Sequence, residues 1–407
     1  MSPSRTRASA EPRVNAQQQR TSAPEEEELR EVVRTLAAWK RPSASGGERR
    51  AAEWIAERFR VTGARDVCVE EEAAHGGYWW PLGVLSLAAG LAGLFGGRLV
   101  RIVAGATAAL GIWDELGLHR RVWTRAFLRR RTTTNVVGEL GDPRAARTVM
   151  VIGHHDAARS GIIFNPTLAY AVGRRFPQLI ERSRAWPRVM RLVFGGPLLL
   201  VLGARMLGTA LSLGSAVVFA DIGLRGVVPG ANDNLSGVAT VLGLARALSE
   251  RPVDGIQVVL VSAGSEESFE EGSQAFLRRH AGELPLENTT LVAVDTVGSP
   301  YLVLLEGEGM LTRVEYDRAL KDTIEAAAKD AGIPIIREHW LPFGSDALAG
   351  LRAGYPSVCV ASFDDLKLPS NYHWPTDVPD NVDFGTVAQA VLVLERAVRR
   401  LAGTGDG

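Results

Sequence analysis

Cysteine is nearly absent from this 407-residue chain: Cys68 and Cys359 stand far apart, each in an apolar, strand-like run. Two cysteines build no disulfide framework, and without a CxxC pair a thiolate zinc finger is excluded. Both read as small core residues. An excess of either charge is also missing. The 46 basic residues balance 46 acidic ones, which leaves no global attraction for nucleic acid or another polyanion. No apolar run opens the chain. Residues 1–24 are rich in Arg, Ser, Gln and Pro and lack the hydrophobic centre of a secretory signal, so they read as a disordered tail, with the cytoplasm as default compartment. There is no internal repeat, and the length suits one large domain with insertions, or two domains.

Charge is missing from interior stretches as well, and that absence is informative. Residues 78–97, YWWPLGVLSLAAGLAGLFGG, carry none, and after Arg98 and Arg101 the run IVAGATAALGIW is again uncharged. A bilayer-spanning helix needs about 20 mostly apolar residues. The first stretch reaches that length and the second falls short of it. Tyr78, Trp79, Trp80, Trp113 and Trp123 lie at the mouth, as interfacial aromatics do, and Arg120, Arg121, Arg125, Arg129, Arg130 and Arg131 follow. A helical hairpin is predicted over residues 79–131. A second excursion, residues 162–228, contains LVFGGPLLLVLGA and MLGTALSLGSAVVFA, separated by Arg205. It also carries Arg174, Arg175, Arg182, Arg184, Arg188 and Arg191 ahead of these runs. Its pieces are short for full spans, so a shallow hairpin, a re-entrant pair and two buried helices all fit. A lipid bilayer is the expected partner, and the flanking arginines put the rest of the chain on the cytoplasmic side. The competing expectation is a soluble cytoplasmic protein whose extra helices form a lid or a dimer surface.

Outside these excursions the chain alternates helix and strand. Residues 25–78 read as a helix with an acidic start, a second helix over ERRAAEWIAERF and a strand at DVCVEEE. Residues 132–161 read as two strands, and 229–403 as strands interleaved with amphipathic helices ending in FGTVAQAVLVLERAVRRLAG. This pattern predicts an α/β fold: a mixed, mainly parallel central sheet covered by helices on both faces, with two inserted hydrophobic helical hairpins.

The predicted strand ends carry the chemistry, where open α/β sheets bind ligands. The buried run TVMVIG ends in His154, His155 and Asp156. Asp233 lies in GANDNLSG at the start of a long helix, Glu266 and Glu267 follow GIQVVLVSAG, Asp295 ends the core of TLVAVDTVG, and His373 lies in NYHWPTDVPDN. Singly, each has an ordinary use: Asp233 as a helix cap, the Glu pair as surface charge, His373 as a turn residue. Together, two imidazoles and three carboxylates suit zinc. Two metals about 3.5–4 Å apart need a bridging carboxylate, for which Asp233 is the candidate. Neighbouring side chains diverge, so one of Glu266 and Glu267 can hold a metal while the other takes a proton from water. His75, His119, His155, His280 and His339 match no partner.

As a set, GHHDA, GANDNLSGV, EESFEEGS, VDTVG and YHWPTDVPDN resemble the successive signatures of the family-28 zinc metallopeptidases of clan MH. That family includes aminopeptidases, glutamate carboxypeptidases and the related glutaminyl cyclases. The resemblance covers roughly residues 25–78, 132–160 and 229–403. It implies a zinc-peptidase α/β/α sandwich, two Zn²⁺ per chain and a peptide substrate. Carried over by position, His154 and Asp295 complete one zinc site, Glu267 and His373 the other, Asp233 bridges them and Glu266 is the general base. Asp156 holds His154 in its ligating tautomer, and Tyr372 matches a tyrosine that stabilises the oxyanion in some members. Aminopeptidase activity is expected from the family's habit. A single-zinc acyltransferase like glutaminyl cyclase, and a catalytically dead membrane scaffold, are the rivals. Three departures stand out: Phe269 where a glycine is common, Ala347 where a histidine often stands, and the two hydrophobic excursions.

Overall fold

The computed structural model describes residues 18–182 and 188–403. Residues 1–17 of the expected tail, and Arg184, lie outside the described residues. The first helix, expected from residue 25, begins earlier: α1 spans Gln18–Ala37. In α2 (Gly46–Val61) the Ser45 hydroxyl caps the first turn, and Ala52, Ile55, Ala56 and Phe59 are buried. Then come β1 (Arg65–Ala74), α3 (Trp79–Phe95), α4 (Arg98–Leu116) and the short α5 (Val122–Phe127). β2 (Arg131–Gly141) and β3 (Thr148–His154) precede the second excursion, which forms α6 (Pro166–Arg175), α7 (Pro177–Arg182), α8 (Val189–Val201) and α9 (Arg205–Leu224). The rest alternates: α10 (Ser236–Glu250), β4 (Gln257–Ala263), α11 (Glu271–Arg279), β5 (Thr289–Val294), β6 (Tyr301–Leu304) and α12 (Arg318–Asp330). The strands β7 (Gly307–Glu308), β8 (Val314–Glu315) and β9 (Trp340–Leu341) make a small side sheet. α13 (Asp346–Ala353), β10 (Ser357–Phe363) and α14 (Phe384–Ala402) close the chain.

The central sheet has seven strands in the order β1-β2-β4-β3-β5-β10-β6. β4, β3, β5 and β10 run parallel, while β2 and β6 pair antiparallel with the outer members of that block. β2 and β3 follow one another in the chain yet are not neighbours, because β4 enters between them. Strands covered on both faces read as continuous apolar runs, and every residue of β3 and β10 is buried. α2, α10, α12 and α14 pack as one layer with α1 laid over it, and α11 and α13 cover the opposite face.

The two hydrophobic excursions meet. α3, α4, α8 and α9 pack into a single bundle around Leu82, Leu85, Ile112, Leu200 and Phe219. Its helices approach through small residues. A Cβ at Gly93 would come 2.1 Å from Thr209 Oγ1, and one at Gly105 2.8 Å from the Pro197 carbonyl oxygen. Small and hydroxyl residues sit at these contacts beside the apolar core, and large apolar side chains also cover the outside. α9 buries Gly208, Thr209, Ser212 and Ala216 alongside Phe219 and Ile222, while Met206, Leu207, Val217 and Leu224 face outward. α3 likewise buries Ser86, Ala89 and Gly90 and exposes Val84, Leu87, Leu91 and Leu94.

A buried acid forms one of the contacts that dock the bundle on the sheet layers. Glu271, at the start of α11, accepts hydrogen bonds from the backbone amides of His75 and Gly76, both at 2.9 Å, and from Ser268 Oγ at 2.7 Å. Arg121, the residue before α5, places its guanidinium 3.3 Å from Glu271 and 3.3 Å from Glu115 of α4. Burial alone would raise the Glu271 carboxyl, but His75, Arg121 and these amides outweigh it and hold it at about 2. A carboxylate held at about 2 instead of its usual 4.5 contributes about 3 kcal/mol at neutral pH, at 1.36 kcal/mol per pKa unit. That contribution is complete above pH 4.5 and disappears as the pH falls toward 2. Glu271→Gln is therefore expected to lower unfolding stability at pH 7 by up to about 3 kcal/mol. The gap between wild type and variant should close on acidification below pH 4.5, and a gap constant with pH would contradict this account.

Candidate metal centre

The parallel block lifts its carboxyl-terminal ends to one edge, and the site lies there. In the register of the parallel pair β3 and β4, His154 sits opposite Ala263, so the loop carrying Glu266 and Glu267 begins beside the histidine. Asp295 directly follows β5, and its amide is tied to the Val360 carbonyl at 3.0 Å. Asp233 lies in the kinked stretch Ala231–Leu235 ahead of α10, next to a cis peptide bond, and His373 lies in the loop after β10.

Asp233 faces both imidazoles. Its Oδ1 is 3.4 Å from His154 Nε2, and its Oδ2 is 3.0 Å from His373 Nε2. His373 Nε2 is also 3.2 Å from Glu267, and His154 Nε2 is 3.6 Å from Glu266. Three groups bring ligand atoms within 4.8 Å of one another: His154, Asp233 and Asp295; Asp233, Glu267 and His373; and His154, Glu266 and Glu267. The first two share Asp233. Behind His154, Asp156 Oδ1 lies 3.3 Å from the other ring nitrogen, Nδ1. Asp156 also accepts the amides of Glu266 and Glu267 at 3.1 and 3.2 Å, and Ser43 Oγ at 2.6 Å. Tyr372 stacks on His373 with ring centroids 3.9 Å apart, and both line a cleft with Asp233, Glu266 and Asp295.

The electrostatics follow from crowding acids where water is excluded. Burial raises Asp295 to about 8, with the Asp233 charge adding to it. Burial also raises Glu266 well above the ordinary carboxyl range. His154 opposes that rise, while Glu267, Glu270 and Asp295 reinforce it. Burial disfavours charge on His373, yet Glu267 and Asp233 outweigh it and lift the ring to about 10. Asp233, disfavoured by burial, is held below its usual value by the two imidazoles. Carboxylates and imidazoles so arranged form a donor set for divalent cations, and this N/O mixture suits zinc. Glu267 Oε1 is buried with no hydrogen-bond partner among the described residues, as a ligand oxygen awaiting a cation should be.

The loop bearing the two glutamates is conformationally costly. Ser265, Phe269 and Glu270 have φ of 54°, 65° and 52°, a left-handed region that side chains avoid. Glu48 holds its start: Glu48 Oε2 accepts Ser265 N at 3.0 Å and Ser265 Oγ at 2.9 Å. Phe269 holds its end, stacking on Tyr78 with centroids 4.4 Å apart. Glu48 had no expected role, although Ser45-x-x-Glu48 is the spacing of a helix capping box and marks a glutamate aimed back past the helix start. Asp377 was also unassigned. It accepts the amides of Asn232 at 2.7 Å and Asp233 at 3.1 Å and so orients the shared carboxylate. His155 points away from the cluster, its Nδ1 2.9 Å from Ser262 Oγ, and burial pushes its pKa down to about 3. His75 and His280 pair with Glu271 and Glu70, outside the site. Ala347 is buried in α13.

A sequence model of peptidase family M28 matches residues 216–398. No curated protein matches by sequence. The fold is similar to that of the Bacteroides thetaiotaomicron glutaminyl cyclase solved with N-acetylhistamine, with 14% identity, 92% of this chain and 97% of that chain covered, and a TM-score of 0.56. It is also similar to an aminopeptidase from Aneurinibacillus sp. strain AM-1 (14% identity, 92% and 93% covered, TM-score 0.54) and to a zinc aminopeptidase from Bacillus subtilis (15% identity, 92% and 94% covered, TM-score 0.54).

Two substitutions separate holding a metal from orienting a ligand. Asp233→Ala is expected to abolish stoichiometric zinc in the purified protein, counted by mass spectrometry. Asp156→Asn should keep zinc but weaken its affinity about 10–100-fold in competition with a chelator. Unchanged zinc content in Asp233→Ala would remove the shared carboxylate from the ligand set.

Proposed function

We propose that the chain, whose residues 216–398 match a sequence model of peptidase family M28, is a member of that family and hydrolyses peptide bonds as a two-zinc aminopeptidase. The observation that carries this reading is Asp233, which turns one carboxylate oxygen toward each imidazole. His154, Asp233 and Asp295 would hold one zinc, and Asp233, Glu267 and His373 the other. Zinc held there supplies Lewis acidity and makes water acidic near neutral pH. Glu266 takes a proton from the attacking water as its oxygen adds to the carbonyl carbon. It returns that proton to the amine nitrogen as the C–N bond breaks. A carboxyl raised by burial suits that shuttle. Asp156 keeps His154 in the tautomer that leaves Nε2 free to ligate. Tyr372, against His373 at the cleft, is the residue proposed to donate to the oxyanion. The preference for an amino-terminal bond rests on the family's habit and on the aminopeptidases of similar fold. Glu266→Gln is expected to retain both zincs and lose about 10²–10⁴-fold in turnover of aminoacyl amides. Wild-type turnover in that variant would overturn the base assignment. A single zinc with ammonia released from N-terminal glutamine would favour a cyclase instead, and a metal-free, chelator-insensitive protein a dead scaffold.

We further propose that the four-helix bundle sits in a lipid bilayer with the sheet layers on its cytoplasmic side. In support, α3, α4 and α9 have 17, 19 and 20 residues, about 25–30 Å at 1.5 Å per residue, close to the ~30 Å hydrocarbon thickness. Among the described helices α9 alone is both long and apolar enough to cross a membrane; α4 is long enough but carries Arg98, Arg101, Asp114 and Glu115, and α3 and the 13-residue α8 are shorter. The surface pattern supports the same reading: small residues at the helix contacts with Leu, Val and Met facing outward is how helices pack in lipid. Arg98, Arg101 and Arg205 cluster at the far end, where Arg205 donates to the carbonyls of Gly93 and Leu94 at 2.8 and 2.6 Å and Arg101 to Gly96 at 3.0 Å. The larger arginine group at the near end favours the cytoplasm there. The protein is expected to stay with the membrane pellet through an alkaline carbonate wash and to need detergent for release. Release by carbonate alone would mean that the bundle is a soluble lid or dimer surface.

A further inference from the structure

An apolar cavity of about 480 Å³ lies between the bundle and the metal-ligand cluster. Val189, Leu192, Leu211 and Val218 of α8 and α9 form its bundle side. On the other side its wall is continuous with the catalytic cleft: Tyr78, Phe164, Met190, Phe343 and Tyr372 line both this cavity and the space that holds Glu266, Glu267 and His373. The shared boundary is aromatic. Phe164 sets its edge against Tyr372 at 5.8 Å and against His373 at 4.5 Å. The single charged group among the described lining residues, Asp364, is already engaged by the Tyr170 hydroxyl and by the amides of Leu366 and Leu368. Among the described lining residues the rest of the wall is uncharged, so apart from Asp364 the cavity offers a polar ligand little to bind. Mostly apolar pockets of about 300–1,000 Å³ enclose most of a small molecule's surface, and at about 480 Å³ this one is larger than any single amino-acid side chain fills. Its far end opens at Ala210 and Gly214 of α9 and at Leu192, all exposed on the same apolar flank of the bundle.

We propose that this cavity is the subsite for a long hydrocarbon chain, and that the enzyme's substrates are amphiphilic amides carrying that chain next to the scissile bond and entering from the bilayer. The proposal rests on the hydrolytic reading above and adds the substrate class. The amide must reach Glu266 and the ligand cluster, and the chain attached to it then meets the aromatic boundary and a mainly apolar cavity. An ordinary peptide would leave most of that apolar surface wet. The substrate's apolar part should be already in lipid, since the mouth opens on the flank proposed to face it.

The test uses the full-length protein in detergent with zinc present and two series of amides. One carries alkyl side chains of increasing length on a free-amine acyl residue, and the other carries alkylamines of increasing length as the leaving group. In one series kcat/KM is expected to rise about fourfold per methylene and to level off once the cavity is filled. Gly214→Trp should remove the rise and leave the shortest amides unchanged. Gly214 suits this purpose because it lines the cavity and a Cβ there meets nothing within 4 Å. Equal activity at all lengths in both series, or a plateau already at the size of a leucine side chain, would overturn the proposal while leaving the peptidase reading intact. So would a length dependence that survives Gly214→Trp. Absence of chelator-sensitive hydrolysis for every amide, the shortest included, would instead overturn the peptidase reading itself.

Discussion

The structure depends on a loop that its own backbone disfavours. Between β4 and α11, three residues with side chains occupy left-handed φ, each at a cost of roughly 1 kcal/mol or more. The loop is worth holding because it presents two adjacent glutamates in diverging directions at the mouth of the sheet. Three buried acids do the holding. Glu48 takes the loop's first polar groups, Asp156 takes the amides of both glutamates, and Glu271 anchors its exit. Each acid also binds something else: Glu48 reaches Thr134 of β2, Asp156 approaches His154, and Glu271 binds Arg121. The loop is thus the point where strand, metal-ligand cluster and bundle are tied to one another.

This arrangement accounts for one departure from the family pattern. Where a glycine is common after the glutamate pair, this chain has Phe269 at φ 65°. A glycine would occupy that conformation freely, so the phenylalanine needs compensation. It finds it in Tyr78, the residue that leads into α3, on which its ring lies nearly flat at 17°. The unusual residue and the unusual insertion are two halves of one contact. The bundle is therefore part of what shapes the loop that carries Glu266 and Glu267.

Much of this architecture is legible in the sequence, for physical reasons that also mark where legibility ends. β3 reads as a buried strand because both faces of the sheet are covered, which leaves a continuous apolar run up to Gly153 and places His154 at its end. The segments bearing Asp233, Glu266, Glu267, Asp295 and His373 stand out because residues of these types recur at successive strand ends, and the fold brings them into one cluster. The order of strands is another matter. β4 enters between β2 and β3, and no local periodicity encodes that pairing. The meeting of the two excursions is equally hidden, since each is apolar on all sides, and the small residues that face inward look like ordinary sequence variety. Glu48 and Asp377 escape notice because they act through backbone amides far away in the chain, and the residues they hold give no sign of needing support.

The chain leaves the sheet layers for the bundle and returns to them twice, once between β1 and β2 and once between β3 and α10. A domain on a single tether swivels about it. One stitched at two separated seams, with Glu271 and Tyr78 fastened between them, has lost that rotational freedom. The angle between the bundle axis and the mouth of the cleft is then set by covalent connectivity, and the distance from Gly214 to the Glu266–Glu267 loop becomes a fixed ruler. With the bundle in a bilayer and the cleft catalytic, as proposed, such a ruler would select a substrate by the depth at which its reactive bond lies as much as by the groups on either side of that bond.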